Sequence, residues 1–187
     1  MDRRYEPRHI CLAIGIIIAI SSFILLIFIP QTVANSVHFS SGVWHIFVPK
    51  ENFLGYGIGF FLLFLVPMIL FIMDIKKISI LVSIFILLLS FIPFYISSQS
   101  YIIFADDSIT FSPILSSKVN HYSWTDVSEI TYYKAKMGER SEYEFVFQDG
   151  NNLTLEENPY FSSIRNALNI KLKEIGLIIQ RVEKPAD

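Results

Sequence analysis

The chain has 187 residues, 52% of them hydrophobic and 17% charged, with a formal net charge of −2 and a mean hydropathy of +0.48. That is too apolar for an average soluble chain of this length, and it lacks the positive charge that nucleic acid or anionic lipid rewards. The single cysteine, Cys11, excludes an internal disulfide and any thiolate metal cluster, and is read as a small apolar residue at the start of a span rather than a lipidation site.

The tail Met1–His9 carries Arg3, Arg4 and Arg8. It runs into Ile10–Ile29, the first of three stretches without a charged side chain; the others are Phe53–Met73 and Ile78–Ser98. Each is about the 20 residues that an α-helix needs to cross a hydrocarbon core of roughly 30 Å, and a helix satisfies its own backbone in lipid. The first run exceeds the roughly 7–15 apolar residues of a cleaved signal peptide, so it is read as a retained span even though Thr32-Val33-Ala34 would tolerate cleavage. Residues 1–98 therefore form a transmembrane anchor, with helices over 10–29, 53–73 and 78–98.

Basic residues mark one side of the membrane. The tail has three arginines and the connection Asp74-Ile75-Lys76-Lys77 has two lysines, whereas Pro30–Asn52 offers only Lys50. The positive-inside rule then places the N-terminus in the cytoplasm, and three spans place the C-terminal domain outside. Within Pro30–Asn52, the stretch Val43-Trp44-His45-Ile46-Phe47-Val48-Pro49 is aromatic and apolar, which suits a segment at headgroup level. His38 and His45 have no third ligand nearby and are read as surface histidines rather than a metal pair.

Small residues recur at helix-packing spacing: Gly55 and Gly59 in the second run, Gly15 and Ala19 in the first, Ser79 and Ser83 in the third. Such pairs let helix backbones approach closely, either within a three-helix bundle or between two copies of the chain. Pro67 and Pro93 are expected to bend their helices. No Asp, Glu, Lys, Arg or His lies inside any of the three runs, so they suit an anchor and not an ion or proton pathway.

Residues 99–187 carry nine Lys or Arg against thirteen acids, hence −4. Tyr101–Phe104 and Ile109–Phe111 read as a hairpin around Asp106-Asp107, a pair of turn formers rather than a Ca²⁺ site. Val119–Ser123 and Val127–Lys136 are further strands split by Trp124-Thr125-Asp126. Glu142–Phe147 alternates Tyr143, Phe145 and Phe147 on one face, and Asp149-Gly150 turns it toward Leu153–Leu155. The period then becomes helical. Asn158-Pro159 is an N-cap with Pro at the first helical position, Ile164, Leu168, Leu172 and Ile175 share a face, and Gly176 is the stop. Leu177–Val182 is either a last strand or an extended tail. The fold class is thus a membrane three-helix bundle followed by a C-terminal α+β domain.

The strand spacing, the segment Tyr122-Ser123-Trp124-Thr125-Asp126-Val127-Ser128-Glu129-Ile130 with its W-x-D-V/I-x-x-I pattern, the turn-linked strand pair and the closing helix resemble bacterial PH-like domains. The resemblance covers residues 99–176. It implies a small barrel or sheet closed by one helix, a binding or scaffolding role, and frequent fusion behind transmembrane helices. The segment after the helix departs from the simplest PH plan.

No P-loop, dinucleotide or nucleophile-elbow pattern is present, and no cofactor is implied. His121, with Asp126 and Ser123 near in sequence, is read as a surface or structural histidine. Trp124 is read as a core residue before a recognition aromatic. Lys134, Lys136 and Arg140 flank the Met137-Gly138-Glu139 turn and form a local basic cluster diluted by Glu139 and Glu142. With Trp44, Phe47 and Trp124 they are the candidate interaction surface. The chain is accordingly expected to be a non-enzymatic, multi-pass cell-membrane protein. Its partners would be the bilayer and another protein or a second copy of itself, and not nucleic acid. The alternative is an accessory or immunity-type subunit that regulates a transporter or protects the membrane; a membrane enzyme ranks third.

Overall fold

The computed structural model describes residues 6–116, 118–136 and 140–183. Arg3, Arg4 and the Met137-Gly138-Glu139 turn lie outside the described residues. The chain divides into two compact units, one of Met1–His38, Val48–Tyr101 and Ser112–Ser117, the other of Phe39–Phe47, Ile102–Phe111 and Lys118–Asp187.

The first unit contains three helices long and apolar enough to cross a membrane: α1 (Pro7–His38), α2 (Lys50–Ile72) and α3 (Lys77–Ser98). By length and composition their surfaces suit an apolar solvent. Only 6% of the most apolar window of α1 is buried in the protein, and Phe23 is 74% exposed. Packing is sequential, with α2 touching both α1 and α3 extensively. The first helix is longer than its apolar run, for it passes through buried Pro30 and continues to His38. The added turns are polar but hold themselves together, since Gln31 Nε2 donates to Asn35 Oδ1 at 2.9 Å and Thr32 Oγ1 to the Phe28 carbonyl at 2.8 Å. A transmembrane helix tolerates such a proline because its loss of one donor is local. α2 and α3 likewise run on through Pro67 and Pro93.

The second unit is built from two four-stranded sheets. In one, the order is β1 (Val43–Phe47), β2 (Tyr101–Ala105), β3 (Ser108–Ser112) and β4 (Asn120–Ser123). A single 3₁₀ turn, Trp124–Asp126, leads into the other sheet, whose spatial order is β7 (Asn152–Glu156), β6 (Glu142–Phe147), β5 (Val127–Lys134) and β8 (Ile179–Glu183). The helix α4 (Pro159–Ile175) joins β7 to β8, and β8 runs parallel to β5. Leu177–Val182 is thus resolved in favour of a strand, starting at Ile179. The unit is thus an α+β domain of two sheets and one helix.

The strand assigned least by sequence is β1. Val43–Phe47, within the aromatic stretch Val43–Pro49, is an edge strand, antiparallel to β2 with Phe47 opposite Ile102 and Ile46 opposite Ile103. Its last two residues are buried, Ile46 at 2% and Phe47 at 3% exposure. The core that Phe47 joins contains Phe104, Ile109, Trp124, Ile130, Phe145, Phe147, Phe161 and Leu168. Tyr143, Phe145 and Phe147 do form the inward face of β6. At α4, Asn158 Oδ1 accepts from the Phe161 amide at 2.9 Å, and Gly176 adopts φ +74° so that the Leu177 amide can reach the Leu172 carbonyl at 2.9 Å. This is the Schellman closure that the left-handed region permits.

Candidate functional site

In the helical unit the small residues take separate roles. A Cβ on Gly55 would fall 1.9 Å from Ser97 Oγ, and one on Gly59 would fall 2.7–2.9 Å from the Phe94 ring, so α3 fills the space that both glycines leave on α2. Gly15 faces Met68, whose Sδ would lie 3.2 Å from an added Cβ. Ser83 Oγ donates to the Val66 carbonyl at 3.2 Å, a direct α3–α2 link. Ser79 is buried too, but its hydroxyl serves the start of α3, accepting from the Lys76 amide at 2.9 Å. Ala19 lines an apolar recess of about 270 Å³ with Phe23, Gly57 and Phe61. Near the other end of this unit, Asn52 Nδ2 donates to the Ser97 and Ser100 carbonyls at 2.8 and 2.7 Å, tying the first turn of α2 to the end of α3.

In the sheet unit, two of the six candidate interaction residues, Trp124 and Phe47, are buried, and a third, Trp44, is half-buried. Trp124 is 2% exposed and its Nε1–H donates to the Ala105 carbonyl at 2.9 Å. Trp44 stacks on it with ring centres 5.3 Å apart, and donates through Nε1–H to Asp106 Oδ1 at 2.6 Å. Phe47 meets Phe104 edge-to-face at 5.7 Å and Phe161 at 6.4 Å. Tryptophans bury this way when the indole N–H finds an acceptor. The 106–107 pair therefore does more than turn the chain, since Asp106 anchors β1. Its backbone amide also donates to the Gly42 carbonyl at 2.9 Å, and Gly42 has φ +85° with Asp106 Oδ2 3.1 Å from where a Cβ would stand.

His45, between them, stacks on Tyr160 at 5.2 Å and meets Phe47 edge-on at 4.6 Å. Burial pushes its imidazole below the ordinary value, and its buried Nε2 has no hydrogen-bond partner among the described residues. His38 packs against Tyr101. Each histidine thus has its own ring partner.

His121 is exposed and its Nδ1 lies 2.7 Å from Thr110 Oγ1. Asp126 and Ser123 are engaged with the 3₁₀ turn instead, Asp126 Oδ2 accepting from the Ser123 amide at 2.8 Å. Tyr122 donates to Asp149 Oδ2 at 2.7 Å. The Asn151 amide, followed by that phenol, holds the Asp149 carboxyl below the usual range. Among the described residues no three of His, Cys, Asp and Glu converge as a metal site would need.

Lys134, Lys136 and Arg140 flank a turn that lies outside the described residues. Arg140 Nη1 lies 3.5 Å from Glu156 Oε2, and Lys134 and Lys136 are exposed at and beyond the end of β5. Lys134 belongs to a cleft of about 400 Å³ between α4 and the β5–β8 edge, lined also by Tyr132, Tyr143, Glu157, Arg165, Asn169 and Arg181. Glu157 is ion-paired to Arg165 and accepts from the Tyr132 hydroxyl at 2.9 Å. Burial pushes the Tyr143 phenol up, while the charges of Arg165 and Arg181 pull it the other way. Arg165 and Arg181 match no motif in the sequence. The helical spacing of Arg165 and Asn169 was readable; the parallel pairing that brings Arg181 beside Tyr132 was not.

No protein-family model matches the chain, and no curated protein matches it. Among solved structures, it is similar to a chain in the structure of the Spt16D Pob3N heterodimer, at 9% identity and a TM-score of 0.33, over 46% of this chain and 47% of that one. The similarity thus spans about half the length of that chain.

Proposed function

We propose that this is a multi-pass cell-membrane protein of non-enzymatic type, in which three helices anchor a PH-like interaction domain at the membrane surface. The observation that carries this is the path of the chain. It leaves the helical unit after His38, contributes β1, re-enters at Val48 and leaves again after Tyr101 to complete the same sheet. The domain is therefore interleaved with its anchor instead of trailing from it. A partner is another protein or a second copy of the chain. Gly55 and Gly59 already face α3 of their own chain, so a homodimer would use other surfaces.

The non-catalytic part of the proposal is supported by the use of Ser123 and Asp126 on each other, away from His121. The orientation we propose is N-terminus inside and domain outside. Arg8 Nη1 lies 3.7 Å from Asp74 Oδ1, which gathers Arg8, Lys76 and Lys77 at one end of the helices, as the positive-inside rule requires.

Cysteine accessibility tests orientation. In a Cys11→Ser background, a membrane-impermeant maleimide should label Glu129→Cys in intact cells, and Lys77→Cys only after permeabilisation. The reverse pattern overturns the orientation. Photo-cross-linking from exposed positions of the sheet unit tests the interaction. A reproducible adduct confined to that unit is expected, and the absence of adducts at every position would overturn an interaction role.

A further inference from the structure

The cleft beside β8 has the donor set and charge of an oxyanion site. Parallel pairing puts Arg181 opposite Tyr132 and Glu183 opposite Lys134, so Lys134 and Arg181 stand two positions apart on adjacent strands, on the face turned toward α4. Like charges at such spacing repel unless an anion lies between them. The acids nearby do not supply it. Glu157 is already held by Arg165 and Tyr132. Glu183 makes no ion pair with Lys134 among the described residues, nor does Arg181 with any acid. With Arg165 neutralised by Glu157, and Lys134 and Arg181 set against Glu183, the cleft has one positive charge in excess. Tyr132 and Ile179, both half-buried, also line the cleft and give it an apolar part, next to the buried ring of Tyr143.

From this geometry we infer that the cleft binds a small organic monocarboxylate, with its carboxylate between Lys134 and Arg181 and its apolar or aromatic body against Tyr132 and Ile179. A guanidinium fork matches a carboxylate in two parallel hydrogen bonds, and Lys134 adds a point charge. Asn169 supplies a neutral donor on the α4 side. The volume, about 400 Å³, is within the range of small-molecule sites and larger than a bare ion needs. This site is independent of whatever protein the domain engages.

The test uses the full chain in detergent micelles with ¹⁵N-labelled arginine side chains, titrated with benzoate, with acetate and with inorganic phosphate at constant ionic strength. Benzoate should shift the Arg181 side-chain signal saturably. Acetate should bind more weakly, because it lacks the body that packs against Tyr132 and Ile179. Arg181→Gln should weaken benzoate binding about tenfold or more, as loss of a charge-assisted hydrogen-bond pair does. Arg181→Lys should fall between the two, and Arg140→Gln, outside the cleft, should bind normally. Non-saturable shifts, equal binding to Arg181→Gln, or phosphate binding tighter than benzoate would each overturn the assignment, the last in favour of phosphate chemistry.

Discussion

Replacing Phe47 with alanine tests whether β1 belongs to the sheet domain. The ring is 3% exposed and has Phe104 and Phe161 as neighbours. Truncating a buried phenylalanine costs about 3–5 kcal/mol. β1 is an edge strand and can settle partly into the gap, which favours the lower end, about 3 kcal/mol. The protein carries its own probe, because its two tryptophans, Trp44 and Trp124, are stacked in this domain and the helices have none. Tryptophan fluorescence of the full chain in detergent therefore reports unfolding of the sheet unit by urea. With an m-value of about 1 kcal/mol/M for a unit of this size, the midpoint should drop by about 3 M. Domains of ordinary stability hold only about 5–15 kcal/mol, so the loss is a large share of the total. Phe47→Leu should recover most of it. If Phe47→Ala moves the midpoint by less than about 0.5 M at unchanged m, the ring behaves as a surface residue and β1 is not part of this core.

Three further outcomes follow from other contacts. Gly55→Ala and Gly59→Ala should lower the thermal stability of the helical unit, since each new methyl meets Ser97 or Phe94 inside 3 Å; Gly57→Ala, with nothing within 4 Å, should be silent by circular dichroism melting. Asn158→Ala should cost about 1 kcal/mol in the urea assay by removing the cap on α4. His45 gives a pH dependence. Its folded pKa lies below the ordinary 6.5, so the unfolded chain takes up the proton first as the medium acidifies. Its contribution is complete above pH 6.5 and is lost as pH falls toward the folded value. The urea midpoint should therefore decline on acidification through that window, and less so in His45→Phe; an equal decline in both variants would exclude His45 as the cause.

Features set by local chemistry were legible in the sequence. The three spans announce themselves by composition, β6 by the alternation of Tyr143, Phe145 and Phe147, and α4 by Asn158-Pro159 at one end and Gly176 at the other. What could not be read depends on partners far along the chain. Nothing in Val43–Phe47 distinguishes an interfacial aromatic segment from a strand until Ile102–Ala105 is available to pair with it. Trp44 resembles a recognition residue until Asp106 and Trp124 are beside it. The apolar run ends at Ile29, whereas α1 continues through Pro30 to His38 in polar turns that hydropathy does not mark. Arg181 lay in a segment whose pairing was undecided, so the cleft it completes had no signal of its own.

The pairing of β1 with β2 also bears on how the chain enters a membrane. β1 precedes α2, β2 follows α3, and a backbone ladder cannot form across a bilayer. The sheet can close only if α2 and α3 both cross or both fail to cross. A chain in which one of them is left at the surface strands Trp44 and Phe47 on the opposite side from Asp106, Trp124 and Phe104. Such a chain keeps an open β2 edge and an incomplete core, the condition that invites aggregation and recognition by quality-control proteases. Where the helices span a membrane, closure of the sheet therefore requires α2 and α3 to be placed as a pair.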